Sequence, residues 1–331
     1  MKNTAAADIR KWDSVVEIRN AVKYFDQKHV QGLFKRENKR VYALDDVSFT
    51  LKKGEFAAYA GPNGAGKSTT FKLLCGMLRP QEGDIRIFGM NPAGRRIEVM
   101  KKTGVLFGNR SELWWDHPVR ATFEWKKAVW DIDDGTYKRA LSELTDLLAL
   151  DDILDAFARE LSLGQRMRAN LALTLLHAPE LVLLDEPTLG LDVLAKLQMI
   201  EFLKKVNREK QVTLLVTSHD MDDLTEMADR LILINRGKIA FDGTHDQLTQ
   251  ATGDRRIVKI QTKQEAAAIE GFEYLGEDQG RHLYGYDAKK FTVQEVFSKV
   301  ASCPGIQDIE IGKENIEKVI ARLYTEWKKG E

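Results

Sequence analysis

An α/β fold built on a parallel sheet, with a small α+β domain after it, is what this 331-residue chain predicts from three observations. The strand-like run 56–60 leads through a glycine-rich turn into a helical run carrying Phe71, Leu73 and Leu74, the strand–loop–helix order that opens a βαβ unit. Two more short apolar runs, 181–184 and 212–216, have the unbroken hydrophobicity of strands buried on both faces, as parallel strands are. Beyond Leu248 the pattern changes to short strands and helices at other spacings, which marks a second domain.

From the amino end, 15–19 and 47–51 read as strands of an antiparallel lobe. The insert Lys28–Val41 between them is locally basic: Lys28, Lys35, Arg36, Lys39 and Arg40 face a single Glu37, beside Leu33 and Phe34. It reads as a solvated loop, of a charge that suits anionic lipid headgroups. After the glycine-rich turn and its helix, 104–108 forms a strand that ends at Asn109. The segments 121–130 and 136–148 read as helices, and Trp114, Trp115, Trp125 and Trp130 concentrate around them. Another helix, 165–178, carries Met167, Leu171, Ala172, Leu175 and Leu176 on one apolar face. In the last eighty or so residues, 257–260, 283–286 and 306–311 read as strands, and Val293, Val296, Phe297 and Val300 as a helix. A final helix is expected with Ile316, Val319, Ile320, Leu323, Tyr324 and Trp327 on one face.

The chemistry sits at the carboxyl ends of the predicted strands, where open α/β sheets bind ligands. Gly61-Pro62-Asn63-Gly64-Ala65-Gly66-Lys67-Ser68 matches G-x-x-x-x-G-K-[ST] in full. Glycines there let backbone N–H groups close round phosphates, and the helix N-terminus adds its positive end. Lys67 reaches the β and γ phosphates, and the Ser68 hydroxyl ligates magnesium. A second anion site falls at Leu161-Ser162-Leu163-Gly164-Gln165, because Ser162 and Gly164 lie at the amino end of the next helix. One chain does not easily turn both sites onto a single γ-phosphate, whereas two copies packed head to tail sandwich two nucleotides between them. The run 181–184 leads into Asp185 and Glu186, of which Asp185 is expected in the magnesium shell and Glu186 as the base for an attacking water. Gly190-Leu191-Asp192 follows, and the strand 212–216 leads to Thr217-Ser218-His219, which makes His219 a candidate γ-phosphate sensor. The other five histidines (His29, His117, His177, His245 and His282) read as structural or exposed.

Composition agrees with a two-domain protein: 43% hydrophobic residues suffice for a sizeable core, and 50 basic against 50 acidic residues leave no net charge. That balance carries no nucleic-acid signature. Residues 1–13 lack an apolar signal-peptide core, and no apolar run reaches the eighteen or more, roughly, of a membrane span. Cys75 and Cys303 are too few and too far apart for a disulfide framework, as suits a reducing cytosol.

With the phosphate loop, the Ser162 turn, the Asp185-Glu186 pair, the Asp192 loop and His219 in this order, the chain resembles the nucleotide-binding subunit of an ATP-binding cassette (ABC) transporter over about residues 15–250. The stretch LSLGQRMRANLALTLLHAPELVLLDEPTLGLDV, residues 161–193, looks like the ATPases of ABC-2-type exporters, including a branch that also carries the Arg-Ser-x-Leu-Trp-Trp found here at 110–115. The resemblance implies a P-loop NTPase cassette with a RecA-like core, an antiparallel β lobe and a helical subdomain at about 110–165. It divides the chain into an N-terminal extension (1–14), the cassette (15–250) and a C-terminal α+β accessory domain (251–331) of regulatory or dimer-supporting character.

For the site, the resemblance implies ATP and Mg2+ bound by Gly61, Asn63, Gly64, Gly66, Lys67, Ser68 and Thr69, with Ser162, Gly164, Gln165 and Asp192 contributed across a dimer. Asn109 stands where the family places a glutamine that contacts the metal and its water; the carboxamide is kept but reaches one methylene less far. An aromatic platform for adenine falls to Phe25, with Tyr24 as the other candidate. The implied partners are a second copy or a paralogous ATPase subunit and a separately encoded membrane permease that docks on the helical subdomain. The protein is then expected at the cytoplasmic face of the membrane, where two subunits close on ATP. Mechanical ATPases of the same superfamily that act on ribosomes or DNA need two cassettes in one chain or a long coiled-coil insertion, and this chain shows neither.

Overall fold

The computed structural model of the chain describes residues 14–31, 35–107, 111–218, 220–251, 255–262, 268–278, 280–314, 319–320 and 322–323, without the side chains of 28–31, 35–39 and 313. The chain divides into two compact units between Asp242 and Gly243. The first opens with β1 (Ser14–Gln31), β2 (Lys35–Lys52), β3 (Phe56–Ala60), α1 (Lys67–Leu74), β4 (Glu82–Ile87), α2 (Arg96–Met100) and β5 (Thr103–Phe107). Helices α3 (Val119–Val129), α4 (Asp134–Leu148) and α5 (Leu163–Leu175) follow. Then come β6 (Leu181–Asp185), α6 (Val193–Lys210), β7 (Thr213–Thr217), α7 (Met221–Met227), β8 (Arg230–Asn235) and β9 (Lys238–Thr244).

These strands form two sheets, of order β2-β1-β4 and β5-β6-β7-β3-β8-β9. Neighbours from β5 to β8 run parallel, and β3, β7 and nearly all of β6 are buried along their length. That burial on both faces is why their sequences are continuously apolar rather than alternating. One core cluster holds Ile18, Leu44 and Leu51 from the antiparallel lobe, Tyr59, Leu183, Leu215 and Ile232 from the parallel sheet, and Phe71 and Leu74 from α1.

Residues 28–31 and 35–41 depart from the loop that their charge suggests, and 32–34 lie outside the described residues. The backbone continues the β1–β2 ladder through Lys28↔Asn38 and His29↔Glu37 to Gln31↔Lys35. The reason lies in the residues that lead into it. Tyr24, Phe25, Val41 and Tyr42 are strong strand formers, the Tyr24 and Tyr42 rings meet across the ladder at 5.6 Å with a 56° tilt, and the Arg40 guanidinium lies 4.7 Å from the Tyr24 ring centroid. Those cross-strand pairs hold the register, and the ladder continues through polar sequence to Gln31↔Lys35.

Helices α3 and α4 bury Val119, Thr122, Phe123, Tyr137, Leu144, Leu147 and Leu148. Asp133 caps α4 by accepting from the Thr136 amide at 3.0 Å. The Trp130 ring at the end of α3 stacks on His177 at 4.6 Å and 11°. A ring nitrogen of His177, Nε2, is 3.3 Å from the Thr103 carbonyl, and burial pulls the His177 pKa down from 6.5 to about 4. The unfolded chain therefore takes up the proton first, and stability is lost as pH falls from about 6.5 towards 4. A His177→Phe variant is expected to be less acid-sensitive than the parent by about 2–3 kcal/mol between pH 7 and 4.5. Urea unfolding of both proteins at the two pH values checks this.

The second unit opens with α8 (His245–Ala251) and continues through β10 (Arg255–Thr262), β11 (Glu273–Asp278), β12 (Arg281–Asp287), α9 (Val293–Ala301) and β13 (Ile306–Lys313). Its antiparallel sheet has the order β11-β12-β10-β13. Val296 and Val300 of α9 pack on Val258, Ile260, Tyr284 and Tyr286, and Thr292 with Glu295 forms a capping box at the helix start. Strand β11 has no counterpart in the sequence reading, because Gly276 and its charged neighbours hide the alternation. Of the final helix, 319–320 and 322–323 are helical with Val319 and Ile320 buried; Ile316, Tyr324 and Trp327 lie outside the described residues. Among the described residues, no helix is long and apolar enough to cross a membrane.

Candidate functional site

The glycine-rich turn takes its form from its neighbours. A Cβ on Gly61 would lie 2.1 Å from the Ile234 carbonyl oxygen, so β8 passes close at the start of the loop. Gly66, at φ 119°, would place a Cβ 2.3 Å from the Ala43 carbonyl oxygen. Only glycine satisfies both the backbone angle and the approach there. The Ala65 amide donates to the Pro62 carbonyl at 3.1 Å, and the Thr70 hydroxyl donates to the Gly66 carbonyl at 3.1 Å. Gly64, by contrast, has open space on its Cβ side. The loop is therefore tied down at both ends and accessible at its crest.

A cavity of about 550 Å³ lies against this loop. Asn63, Gly64, Gly66, Lys67, Ser68 and Thr69 line it from one side, Asp185 and Glu186 from another, with Ala43, Lys72, Met77 and Phe107 completing the wall. Lys67 is buried, and its Nζ donates to the Gly61 carbonyl at 2.6 Å and to Pro62 at 3.3 Å. Burial lowers its pKa, while the Glu186 and Asp185 carboxylates oppose that shift. Ser68 is exposed to the cavity at the start of α1.

Asp185 ends β6 in ladder register with Phe107 on one side and Thr217 on the other. Glu186 sits at φ 56°, a left-handed conformation that non-glycine residues seldom adopt and that clusters at functional sites. The Thr217 hydroxyl donates to Asp185 Oδ1 at 2.6 Å and accepts from the Glu186 amide at 3.1 Å. Asn109 and His219 lie outside the described residues. Their strands end beside Asp185 all the same, at Phe107 and Thr217.

The Ser162 turn forms a separate group. Ser162 caps α5: its hydroxyl accepts from the Gln165 amide at 3.2 Å, and Gln165 Oε1 accepts from the Ser162 amide at 2.9 Å. A Cβ on Gly164 would meet Ala195 Cβ at 3.1 Å, so the first turn of α5 packs closely on the first turn of α6. Asp192 caps α6 by accepting from the Ala195 amide at 2.8 Å. Ser162, Gly164, Gln165 and Asp192 thus cluster with one another and not with Lys67, Asp185 and Glu186. Leu163, Val193, Leu194 and Leu197 are exposed around them.

A polar clamp ties α6 to the start of α7. Lys196 Nζ contacts Asp220 Oδ2 at 2.7 Å and Asp223 Oδ1 at 3.1 Å, and the Thr188 hydroxyl donates to Asp223 Oδ2 at 2.9 Å. Burial alone would raise the Asp220 pKa, but the Lys196 ammonium and the α7 amides outweigh it and hold Asp220 low. Thr217, Lys196 and Asp223 stand in no motif that marks them, because their partners are distant in the chain. Phe25 and Tyr24 do not line the cavity. Phe25 is exposed with Lys23 Nζ 5.4 Å from its ring centroid. Trp114, Trp115 and Trp125 are exposed, with Arg166 lying over Trp115 at 4.7 Å.

The residues present suit a magnesium nucleotide. A buried cation, two carboxylates and an exposed hydroxyl line one cavity beside a glycine loop whose crest is accessible. Asp185 keeps Oδ2 clear of the Thr217 bond.

The profile of a family described as "ABC transporter" matches residues 44–189. The ABC transporter ATP-binding protein NatA of Bacillus subtilis (strain 168) is 30% identical over 218 residues, which cover 66% of this chain and 88% of that protein. The zinc uptake system ATP-binding protein ZurA of Listeria innocua is 30% identical over 264 residues, 78% of this chain and 97% of ZurA. The probable multidrug ABC transporter ATP-binding protein YbhF of Escherichia coli (strain K12) is 35% identical over 223 residues; these are 65% of this chain but only 37% of that relative. Among solved structures, cbiO1 of Clostridium perfringens, part of an ABC transporter complex, superposes with a TM-score of 0.62 at 20% identity, covering 72% of this chain and 91% of cbiO1. A dimeric ATP-binding cassette in a post-hydrolysis state with ADP and Pi superposes with a TM-score of 0.59 at 24% identity, covering 69% and 98%. These two likenesses are of fold.

Proposed function

Because the chain belongs to the ATP-binding proteins of ABC transporters, we propose that it hydrolyses ATP in a head-to-tail dimer and drives a separate membrane permease, as the ATPase of an ABC-2-type exporter. The observation that carries the reading is the convergence of Lys67, Ser68, Asp185 and Glu186 on one cavity. Lys67 supplies positive charge for the β and γ phosphates, and the loop amides with the amino end of α1 hold them in place. Ser68 and Asp185 would hold Mg2+, which neutralises phosphate charge when bound. Glu186 takes a proton from the water that attacks the γ-phosphorus as the bond to ADP breaks. Asn109 and His219 are assigned by resemblance to the water-side and γ-phosphate contacts, and Phe25 to the adenine.

Ser162, Gly164, Gln165 and Asp192 are assigned to the nucleotide held by the second copy. Their grouping away from the cavity, among exposed apolar side chains, suits closure onto another chain. The export assignment rests on the resemblance of 161–193. Uptake is the second reading, favoured by the match along nearly all of ZurA. The dimer is tested by sedimentation of Glu186→Gln with and without Mg-ATP: a nucleotide-dependent doubling of mass supports head-to-tail closure, and an unchanged monomer overturns it. ATP-driven transport in vesicles holding the permease, scored by direction, separates export from uptake.

A further inference from the structure

Thr217 occupies the last position of β7, in register with Asp185, and is wholly buried. Its hydroxyl has one proton and two lone pairs. The proton goes to Asp185 Oδ1 at 2.6 Å, and one lone pair receives the Glu186 amide at 3.1 Å. The Thr217 carbonyl shares that amide at 3.0 Å. A single residue on the neighbouring strand thus holds the side chain of one carboxylate and the left-handed backbone of the next.

Packing gives no reason for a hydroxyl at this place. Leu214, Leu215 and Val216 are apolar and fully buried, and valine has the shape of threonine without the polar atom, whose burial is costly unless it is bonded. We propose that Thr217 is a positioning residue that sets Asp185 and Glu186 in their separate roles. By holding Oδ1 it would leave Oδ2 of Asp185 to hold Mg2+, and by pinning the Glu186 amide it fixes the backbone from which that carboxylate projects. This inference rests on the ATPase reading of the same cavity.

The test compares Thr217→Ser with Thr217→Ala in the full chain, since both lose the methyl group and they differ only in the hydroxyl. Thr217→Ala is expected to lower kcat by about 10- to 100-fold, the value of one charge-assisted hydrogen bond, and Thr217→Ser to recover most of it. Thr217→Val should behave like the alanine variant although it preserves packing. A second readout is binding alone: the gain in affinity for a fluorescent ATP analogue on adding Mg2+ should shrink in the alanine and valine variants and persist in the serine variant. Equal rates and equal Mg2+ gains in the serine and alanine variants would overturn the proposal, as would a loss of both in the serine variant. Glu186→Gln is assayed alongside. A parent without hydrolysis that this variant abolishes brings down the ATPase reading and this inference together, whereas an active parent with an indifferent Thr217→Ala brings down this inference only.

Discussion

Replacing Glu186 with glutamine is expected to lower steady-state ATP hydrolysis by about 10²–10⁴-fold, the usual cost of removing a general base, and to leave nucleotide binding in place. The substitution keeps the shape of the side chain and removes only its ability to take a proton. Its backbone stays where it is, because the left-handed turn is held by bonds from the Glu186 amide to both oxygens of Thr217 and from the Leu189 amide to the Glu186 carbonyl at 3.2 Å. Lys67 loses one of the two carboxylates that oppose the burial effect on its pKa, but Asp185 remains. Phosphate release and nucleotide titration on one preparation measure the two quantities. A rate within about threefold of the parent would place the base elsewhere, because a factor of that size is well below general-base catalysis.

Gly66→Ala is expected to weaken nucleotide binding by up to about 100-fold, through strain of roughly 1–3 kcal/mol in the loop that has to be relieved or carried. The residue sits at φ 119°, where side chains are rarely tolerated, and the added methyl would press on the Ala43 carbonyl at 2.3 Å. Backbone cannot give way there as a flexible side chain can, because Ala43 lies within β2 next to Leu44 of the core. Gly64→Ala is the informative control, since it shares a positive φ of 79° but meets no atom within 4 Å. The smaller loss expected there separates backbone strain from steric collision, and isothermal titration with ATP analogues reads both.

Much of the first unit is legible in the sequence because its determinants are local. Unbroken apolar runs identify β3, β6 and β7, and the Ser162–Gln165 spacing is that of a capped helix start, which the reciprocal bonds of α5 realise. What escapes the sequence depends on register or on distant pairing. Thr217 looks like any hydroxyl at a strand end until the β6–β7 ladder sets it opposite Asp185. Lys196 meets Asp220 and Asp223 only once α6 and α7 are packed together. The cavity wall at Ala43 and Met77 comes from parts of the chain that carry no motif. Charge misleads at 28–31 and 35–41, where the ladder that pairs Tyr24 with Tyr42 continues through polar residues.

The central claim is that ATP hydrolysis in this chain serves a permease encoded apart from it. Its most direct measurement is purification of the tagged Glu186→Gln protein with Mg-ATP from gently solubilised native membranes, followed by mass spectrometry of what is retained. Recovery of one or two polytopic membrane proteins in fixed ratio to this chain is the predicted result. A nucleotide-bound dimer free of any membrane protein would contradict it and make the chain an ABC-family ATPase with a mechanical or regulatory task.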